Sequence, residues 1–195
     1  QFGLVGSEMC IRDSNTIMQF VSSPSWCLNM MTAKKLNFGN IMGHVTNVTN
    51  LSSLASWTAD QFDPTLTWED IAWIKDRWKG KLILKGIMDS EDAMLAVKAG
   101  ADAIIISNHG GRQLDGAPST ISVLPEIVDA VNSKVEVHFD GGVRSGQDVL
   151  KALALGADCI HIGRPYVYGL GAKGQEGVEI AIEIIKKELD LTMAM

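Results

Sequence analysis

Cysteine is scarce: the 195 residues hold only Cys10, Cys27 and Cys159, far apart and without a C-x-x-C pair. An odd, dispersed set excludes a disulfide framework and offers no spacing for a metal site, and it fits a reducing compartment. Basic residues are in deficit too. Seventeen Lys and Arg face 23 Asp and Glu, a formal net charge of −6. With no basic stripe to neutralise a phosphate backbone, nucleic acid is excluded as a partner, although one or two local phosphate sites stay open. No run approaches the roughly 18 apolar residues that span a bilayer, and the start lacks the basic-then-apolar profile of a signal peptide. The expectation is a cytoplasmic protein. What the chain does have is apolar content, 46%, and 19 glycines, enough for one compact domain with a buried core.

Two regimes meet near Asp63, and the second is regular. Ile71, Ile74 and Trp78 give helical spacing over 67–78, and Lys81 to Lys85 reads as a short strand stopped by Gly86. Ser90 is placed to cap a helix carrying Ala93, Met94 and Val97 on one face and ending at Gly100. Further strands are expected at 103–107, 135–139 and 159–162, and further helices at 124–131, 146–155 and 177–191. The string Gly100-Ala101-Asp102-Ala103-Ile104-Ile105 recurs as Gly156-Ala157-Asp158-Cys159-Ile160-His161. Each time a helix would end on glycine just before a strand. Strands alternating with helices in repeated units predict an α/β fold, a (βα) barrel series rather than a doubly wound sheet. Asp102 and Asp158 then fall at helix-to-strand turns on the rim that serves stability.

Barrel chemistry collects after the strands, and there the sequence concentrates its reactive groups. Directly after Ala103-Ile104-Ile105-Ile106 comes Ser107-Asn108-His109-Gly110-Gly111-Arg112-Gln113-Leu114-Asp115. An imidazole is a base that works near neutral pH, and a guanidinium grips a carboxylate through two parallel hydrogen bonds. His109 and Arg112 on one glycine-rich loop therefore point to proton abstraction from a small carboxylic acid, whereas either alone would read as a packed histidine or a solvated arginine. Asp115 reads as a residue that fixes the loop. Asp140-Gly141-Gly142-Val143-Arg144-Ser145-Gly146 follows one strand and opens a helix, and Gly163-Arg164-Pro165 follows the next. Free N–H groups on successive strands, with Arg144 adding charge, form the two halves of an anion cradle. Lys85 ends an apolar strand, and two roles fit it: stabilising negative charge on an electron-accepting ring, or an ion pair with Asp140.

Together Ser107 to Asp115, Leu84-Lys85-Gly86-Ile87, Asp140 to Arg144 and Gly163-Arg164-Pro165 resemble the FMN-dependent 2-hydroxy acid dehydrogenases and oxidases. Within that family Asp63-Pro64-Thr65-Leu66-Thr67-Trp68, Trp73-Ile74 and Gln113-Leu114-Asp115-Gly116 most resemble bacterial respiratory L-lactate dehydrogenases. The resemblance implies a TIM (β/α)8 barrel, FMN as cofactor, and oxidation of an L-2-hydroxy acid, L-lactate to pyruvate first, with glycolate and mandelate as alternative substrates. By the same resemblance His109 is the general base, Arg112 binds the substrate carboxylate, and Lys85 lies by the flavin N1 and C2 carbonyl. Ser107 bonds the ring system, and Asp140, Gly141, Gly142, Arg144, Gly163 and Arg164 surround the FMN phosphate. A quinone, cytochrome or oxygen would take the electrons, and the full-length protein would be a homo-oligomer.

Set against the family's eight βα units, the chain corresponds to the last four, a half-barrel over 63–195 preceded by an irregular connecting segment over 15–62. Residues 1–14 resemble no part of the family and read as a non-native leader. The early strands, with the family's substrate-binding tyrosines and the aspartate that orients the base, have no counterpart. A half-barrel exposes two strand edges, so weak or absent activity is expected of the isolated chain. In the connecting segment Trp26, Leu28, Met30, Met31, Phe38 and Met42 are candidates for peripheral membrane contact. Two other classes stay open: a non-catalytic phosphate- or FMN-binding module, and a different flavin-barrel enzyme, which would have no need of Arg112.

Overall fold

The computed structural model describes residues 18, 20–33, 51–61, 63 and 65–195, which fall into two compact units, 1–66 and 67–195. The expected leader over 1–14 lies outside the described residues, as do Phe38 and Met42. In the first unit the expectation of an irregular segment gives way to two helices, α1 (Pro24–Thr32) and α2 (Leu51–Asp60). Proline opens α1, where its missing N–H is no loss. Their threonine hydroxyls bond within the helices: Thr32 Oγ1 donates to Leu28 O at 2.8 Å, and Thr58 Oγ1 to Leu54 O at 2.8 Å.

The second unit runs α3 (Trp68–Arg77), β1 (Ile83–Ile87), α4 (Ser90–Lys98), β2 (Ala103–Ile106), a single 3-10 turn (His109–Gly111), α5 (Thr120–Val131), β3 (Glu136–Phe139), α6 (Gly146–Ala154), β4 (Cys159–Ile160) and α7 (Arg164–Met193). The four strands are parallel and lie in the order β1-β2-β3-β4. A doubly wound sheet reverses its winding direction partway; strand order that follows chain order is the barrel arrangement. Ile104, Ile106, Val137 and Phe139 turn one sheet face toward Leu124, Ile127 and Val131 of α5, and all seven belong to one buried core. Ile104, Ile106 and Leu124 are wholly buried, each contributing about 1.5–3 kcal/mol of transfer free energy. The opposite face carries Ile83, Lys85, Ile105, Glu136, His138 and Cys159 by strand alternation.

Several boundaries differ from the sequence expectation, each for a local reason. Gly86 does not stop β1. It sits at φ +99° inside the strand, where the register jumps from Lys85 opposite Ile105 to Ile87 opposite Ile106, so it is a bulge and not a terminator. The cap of α4 is Asp89 rather than Ser90: its Oδ1 accepts from Glu91 N at 2.8 Å and Asp92 N at 3.4 Å. Ser90 instead donates to Glu126 Oε1 at 2.8 Å. Helix α5 begins four residues before the expected Leu124, because burying Thr120 and Leu124 with Ile127 and Val131 offsets the bond lost at Pro125. β4 is two residues long, and α7 starts at Arg164, well before the expected Gly177. Lys173 and Gly174 break α7, and beyond the break a Cβ on Gly177 would collide with the backbone of Gly169.

The Gly-Ala-Asp repeat performs the same job twice. Asp102 N donates to Leu82 O and Asp102 Oδ2 accepts from Leu82 N, at 2.8 and 2.9 Å. Asp158 N and Oδ2 grip Val137 O and N in the same way, both at 2.8 Å. Each aspartate thus clamps the start of the preceding strand, and Asp102 adds Lys75 at 2.5 Å and Lys81 at 2.9 Å.

Candidate active site

The C-terminal ends of β1 to β4 open onto a cleft of about 440 Å³. Lys85, His109, Arg112, Asp140, Arg144 and Arg164 all line it, together with Gly141, Gly142 and Gly163. Four cationic side chains face one carboxylate there, so the cleft is locally positive in a chain of net charge −6, a field that draws anions. Of the residues singled out from the sequence only Ser107 and Asp115 stay off the lining. Ser107 lies just beneath, 1% exposed, and Asp115 holds its own turn by accepting from Gly116 N at 3.1 Å.

The His109 loop is built by short-range bonds. Asn108 Oδ1 accepts from Gly110 N at 3.1 Å and its amide donates to Pro118 O at 3.3 Å, while His109 N donates to Ser107 Oγ at 3.2 Å. The loop is tight enough to hold His109 itself at φ +56°, an uncommon conformation for a non-glycine residue and one found at functional sites. A Cβ on Gly86 would stand 3.2 Å from His109 Cε1, so the bulge in β1 leaves the room this imidazole occupies. Arg164 reaches across from α7 and donates from Nη2 to Gly110 O at 2.7 Å, which ties the His109 loop to the strand-four loop. Arg112 is exposed and makes neither a hydrogen bond nor an ion pair among the described residues. Both His109 and Arg112 have side chains free for a ligand.

Lys85 bridges two strands: its Nζ donates to Ser107 Oγ at 2.9 Å and is ion-paired with Asp140. Burial pulls the ammonium below the ordinary lysine range, while the carboxylate against it acts in the opposite sense. The ion pair suggested for Lys85 is therefore formed, and the side chain still lines the cleft. Asp140, expected among the phosphate-binding residues, lines the cleft and is paired with Lys85. His161 also lines the cleft, and burial, then His138 and Lys85, hold its imidazole below the ordinary range.

The anion cradle differs in detail from the expectation that the N-terminus of α6 would face an anion. That helix end is satisfied within the protein. Arg144 N and Ser145 N donate to Asp148 Oδ2 at 3.0 and 3.1 Å, Asp148 N to Ser145 Oγ at 3.2 Å, and Gly146 N to Glu188 Oε2 at 2.9 Å. Burial works against the ionised Asp148, but these donors outweigh it and keep the carboxyl below its usual range. Among the described residues, the cleft-lining N–H groups of Gly141, Gly142, Val143, Ile162, Gly163 and Arg164 have no protein partner. A Cβ on Gly142 or Gly163 would project into open space, so the backbone is bare where a ligand would press against it. Asn108 and His161 are site residues for which the sequence reading gave no role. An Asn before a Gly-Gly turn is the signal for the first; only the alternation of side chains beyond β4 could have found the second.

A parallel barrel sheet with a base, a guanidinium and a glycine-lined anion cradle at its strand ends defines a class, the cofactor-dependent barrel enzymes. Comparison with known proteins narrows it. The model of the FMN-dependent dehydrogenase family matches residues 7–195, and the chain belongs to that family. It is 42% identical over 194 residues to an L-lactate dehydrogenase of Vibrio cholerae serotype O1, covering 99% of this chain and 50% of that one. It is 44% identical over 180 residues to an L-lactate dehydrogenase of Pseudomonas syringae pv. syringae, covering 92% and 47%. Among solved structures, a mandelate oxidase with (S)-4-hydroxymandelic acid is 48% identical with a TM-score of 0.69, covering 74% of this chain and 40% of that one. The monotopic membrane protein (S)-mandelate dehydrogenase is 35% identical with a TM-score of 0.83, covering 93% and 48%. The chain spans about half the length of the curated relatives it matches. The family's cofactor is FMN, its chemistry is oxidoreduction of 2-hydroxy acids, and its fold is the TIM barrel, of which these four βα units are the C-terminal half.

Proposed function

We propose that this chain is the FMN- and substrate-binding half of an L-2-hydroxy acid dehydrogenase acting first on L-lactate, with pyruvate as product. The observation that carries the reading is the meeting of His109 and Arg112 on one cleft with a bare glycine cradle. The substrate is supported by relatives named L-lactate dehydrogenase that are 42% and 44% identical over nearly the whole chain. Gly142, Gly163, Arg144 and the backbone of Arg164 hold the FMN phosphate, and Lys85, kept in place by Asp140 and Ser107, stands beside the ring. FMN, when bound, accepts the two electrons that the alcohol gives up. Arg112 orients the substrate by its carboxylate. His109 takes one of the two protons released as the C2 hydroxyl becomes a carbonyl, and Arg164 holds the loop that carries it. Peripheral membrane contact is supported by α1, where Trp26, Leu28, Met30 and Met31 are 40–84% exposed, and by the likeness to a monotopic membrane protein. Among the described residues no helix is long and apolar enough to cross a membrane.

The test uses a chain extended to the relatives' length. His109→Gln lowers kcat with lactate by roughly 10²–10⁴-fold, the contribution of a positioned base, while FMN stays bound. Arg112→Lys loses one charged bidentate contact and lowers kcat/KM by about 10–100-fold, the equivalent of roughly 1.5–3 kcal/mol. Turnover undiminished in either variant removes the assignment.

A further inference from the structure

The strongest cluster that the proposed chemistry does not use lies on the open sheet face. His138 of β3 is the register partner of Cys159 of β4, and in parallel strands register partners point the same way. His161, two residues past Cys159, returns to that same face by the two-residue alternation of extended chain. The consequence is that one nitrogen from each imidazole and the Cys159 sulfur lie within 4.8 Å of one another. Cys159 is a free thiol.

The arrangement of protons makes this more than proximity. His138 Nε2 lies 3.3 Å from Glu136 Oε2, and its Nδ1 lies 3.1 Å from His161 Nε2. With the proton assigned to Nε2, where the carboxylate accepts it, Nδ1 presents a lone pair to the second ring. A carboxylate behind the distal nitrogen is the usual support of a metal-bound histidine, because it fixes the tautomer and raises the basicity of the ligating nitrogen. Two nitrogens on one tetrahedral zinc, at bond lengths of about 2.0–2.1 Å, are roughly 3.3 Å apart. The imidazole pair already stands near that spacing, and the thiol lies within 4.8 Å of both nitrogens.

We propose that His138, Cys159 and His161 form a three-ligand site for a borderline divalent transition metal of the zinc class, with Glu136 as the positioning carboxylate behind His138. Two imidazoles and one thiolate suit such an ion and exclude magnesium or calcium, which take oxygen. Three protein ligands leave a fourth position for water, and one of the three, His161, lines the cleft. The ion would fasten β4, only two residues long, to β3, and so brace the Gly163–Arg164 half of the anion cradle that follows His161. The site stands on its own geometry and does not depend on the reaction proposed above.

Cobalt(II) titration of the 195-residue chain after chelator treatment reads the ligand set directly. One equivalent is expected to give a thiolate-to-cobalt charge-transfer band that zinc then bleaches by displacement. Cys159→Ser abolishes the band while far-ultraviolet circular dichroism stays unchanged, whereas the double variant Cys10→Ser and Cys27→Ser keeps it. His161→Gln, at an exposed position, weakens zinc binding by more than tenfold, and Glu136→Gln weakens it by roughly 10–100-fold, the effect of losing the carboxylate behind a ligating histidine. No charge-transfer band at one equivalent, a band that survives Cys159→Ser, or zinc affinity unchanged in His161→Gln overturns the site.

Discussion

A glycine reads in sequence only as permission; what the permission is for emerges from its neighbours. At 86 the residue looks like the end of a strand, and it is a bulge whose missing side chain leaves space for the imidazole that follows the next strand, with a Cβ meeting His109 Cε1 at 3.2 Å. Gly111 shares the positive backbone angle, φ +72°, but a Cβ there meets nothing within 4 Å. The pair separates backbone strain from crowding. Gly86→Ala and Gly111→Ala should each destabilise by about 1–3 kcal/mol through the φ penalty, measured by thermal denaturation. Only Gly86→Ala should also shift the His109 ring resonances in an NMR spectrum. Equal perturbation of those resonances by both changes would sink the claim that the bulge shapes the base's position. At this scale the sequence marks reactive groups directly, and His109, Arg112 and Lys85 do come together on one cleft. For a neighbour that acts by contact, such as Asn108, the turn signal is local but the partner is not: nothing in a linear string says that its amide will meet Pro118 O.

Among the elements, the expected alternation of helices and strands is what folds, because its cause is local: apolar spacing, with glycine ahead of β2 and β4. Boundaries moved where a distant partner intervened. The N-terminus of α6 looked ready for an anion, yet Glu188 of α7 takes Gly146 N at 2.9 Å, a contact spanning 42 residues that no local pattern announces. The Gly-Ala-Asp repeat was legible as a rim turn, and its energetics follow from the structure. Lys75, the Leu82 N–H and Lys81 hold the Asp102 carboxyl far below the usual carboxylate range. A folded-state pKa depressed in this way contributes stability that is fully present above the unfolded value and is lost as pH falls toward the folded one. Asp102→Asn should therefore lower the melting temperature at neutral pH, and the gap from the parent should narrow steadily under acid. A gap that is constant from neutral pH down through the carboxylate range would show that the charge of Asp102 contributes nothing.

For the molecule as a whole, charge distribution decides more than charge total. A chain of net −6 reads from its total as indifferent to anions. The fold nonetheless gathers Lys85, Arg112, Arg144 and Arg164 at one end of the sheet, against Asp140 alone. These residues are spread over 80 positions of sequence, and parallel strands bring them together because every strand ends on the same rim. If that rim binds FMN through its terminal phosphate, the flavin ring without the phosphate should be held far less well. Thermal denaturation of the chain with saturating FMN tests this: at 100 times the dissociation constant a ligand adds about 2.7 kcal/mol, a rise of roughly 5–10 °C for a chain of this size. Riboflavin at equal concentration should give a small fraction of that rise. Arg144→Ala should shrink the advantage of FMN over riboflavin while leaving the melting temperature of the ligand-free chain within about 1 °C, since an exposed arginine outside any ion pair contributes little to folding. Equal shifts from the two flavins would mean that the cradle of bare glycine N–H groups is not a phosphate site, and the positive rim would need another occupant.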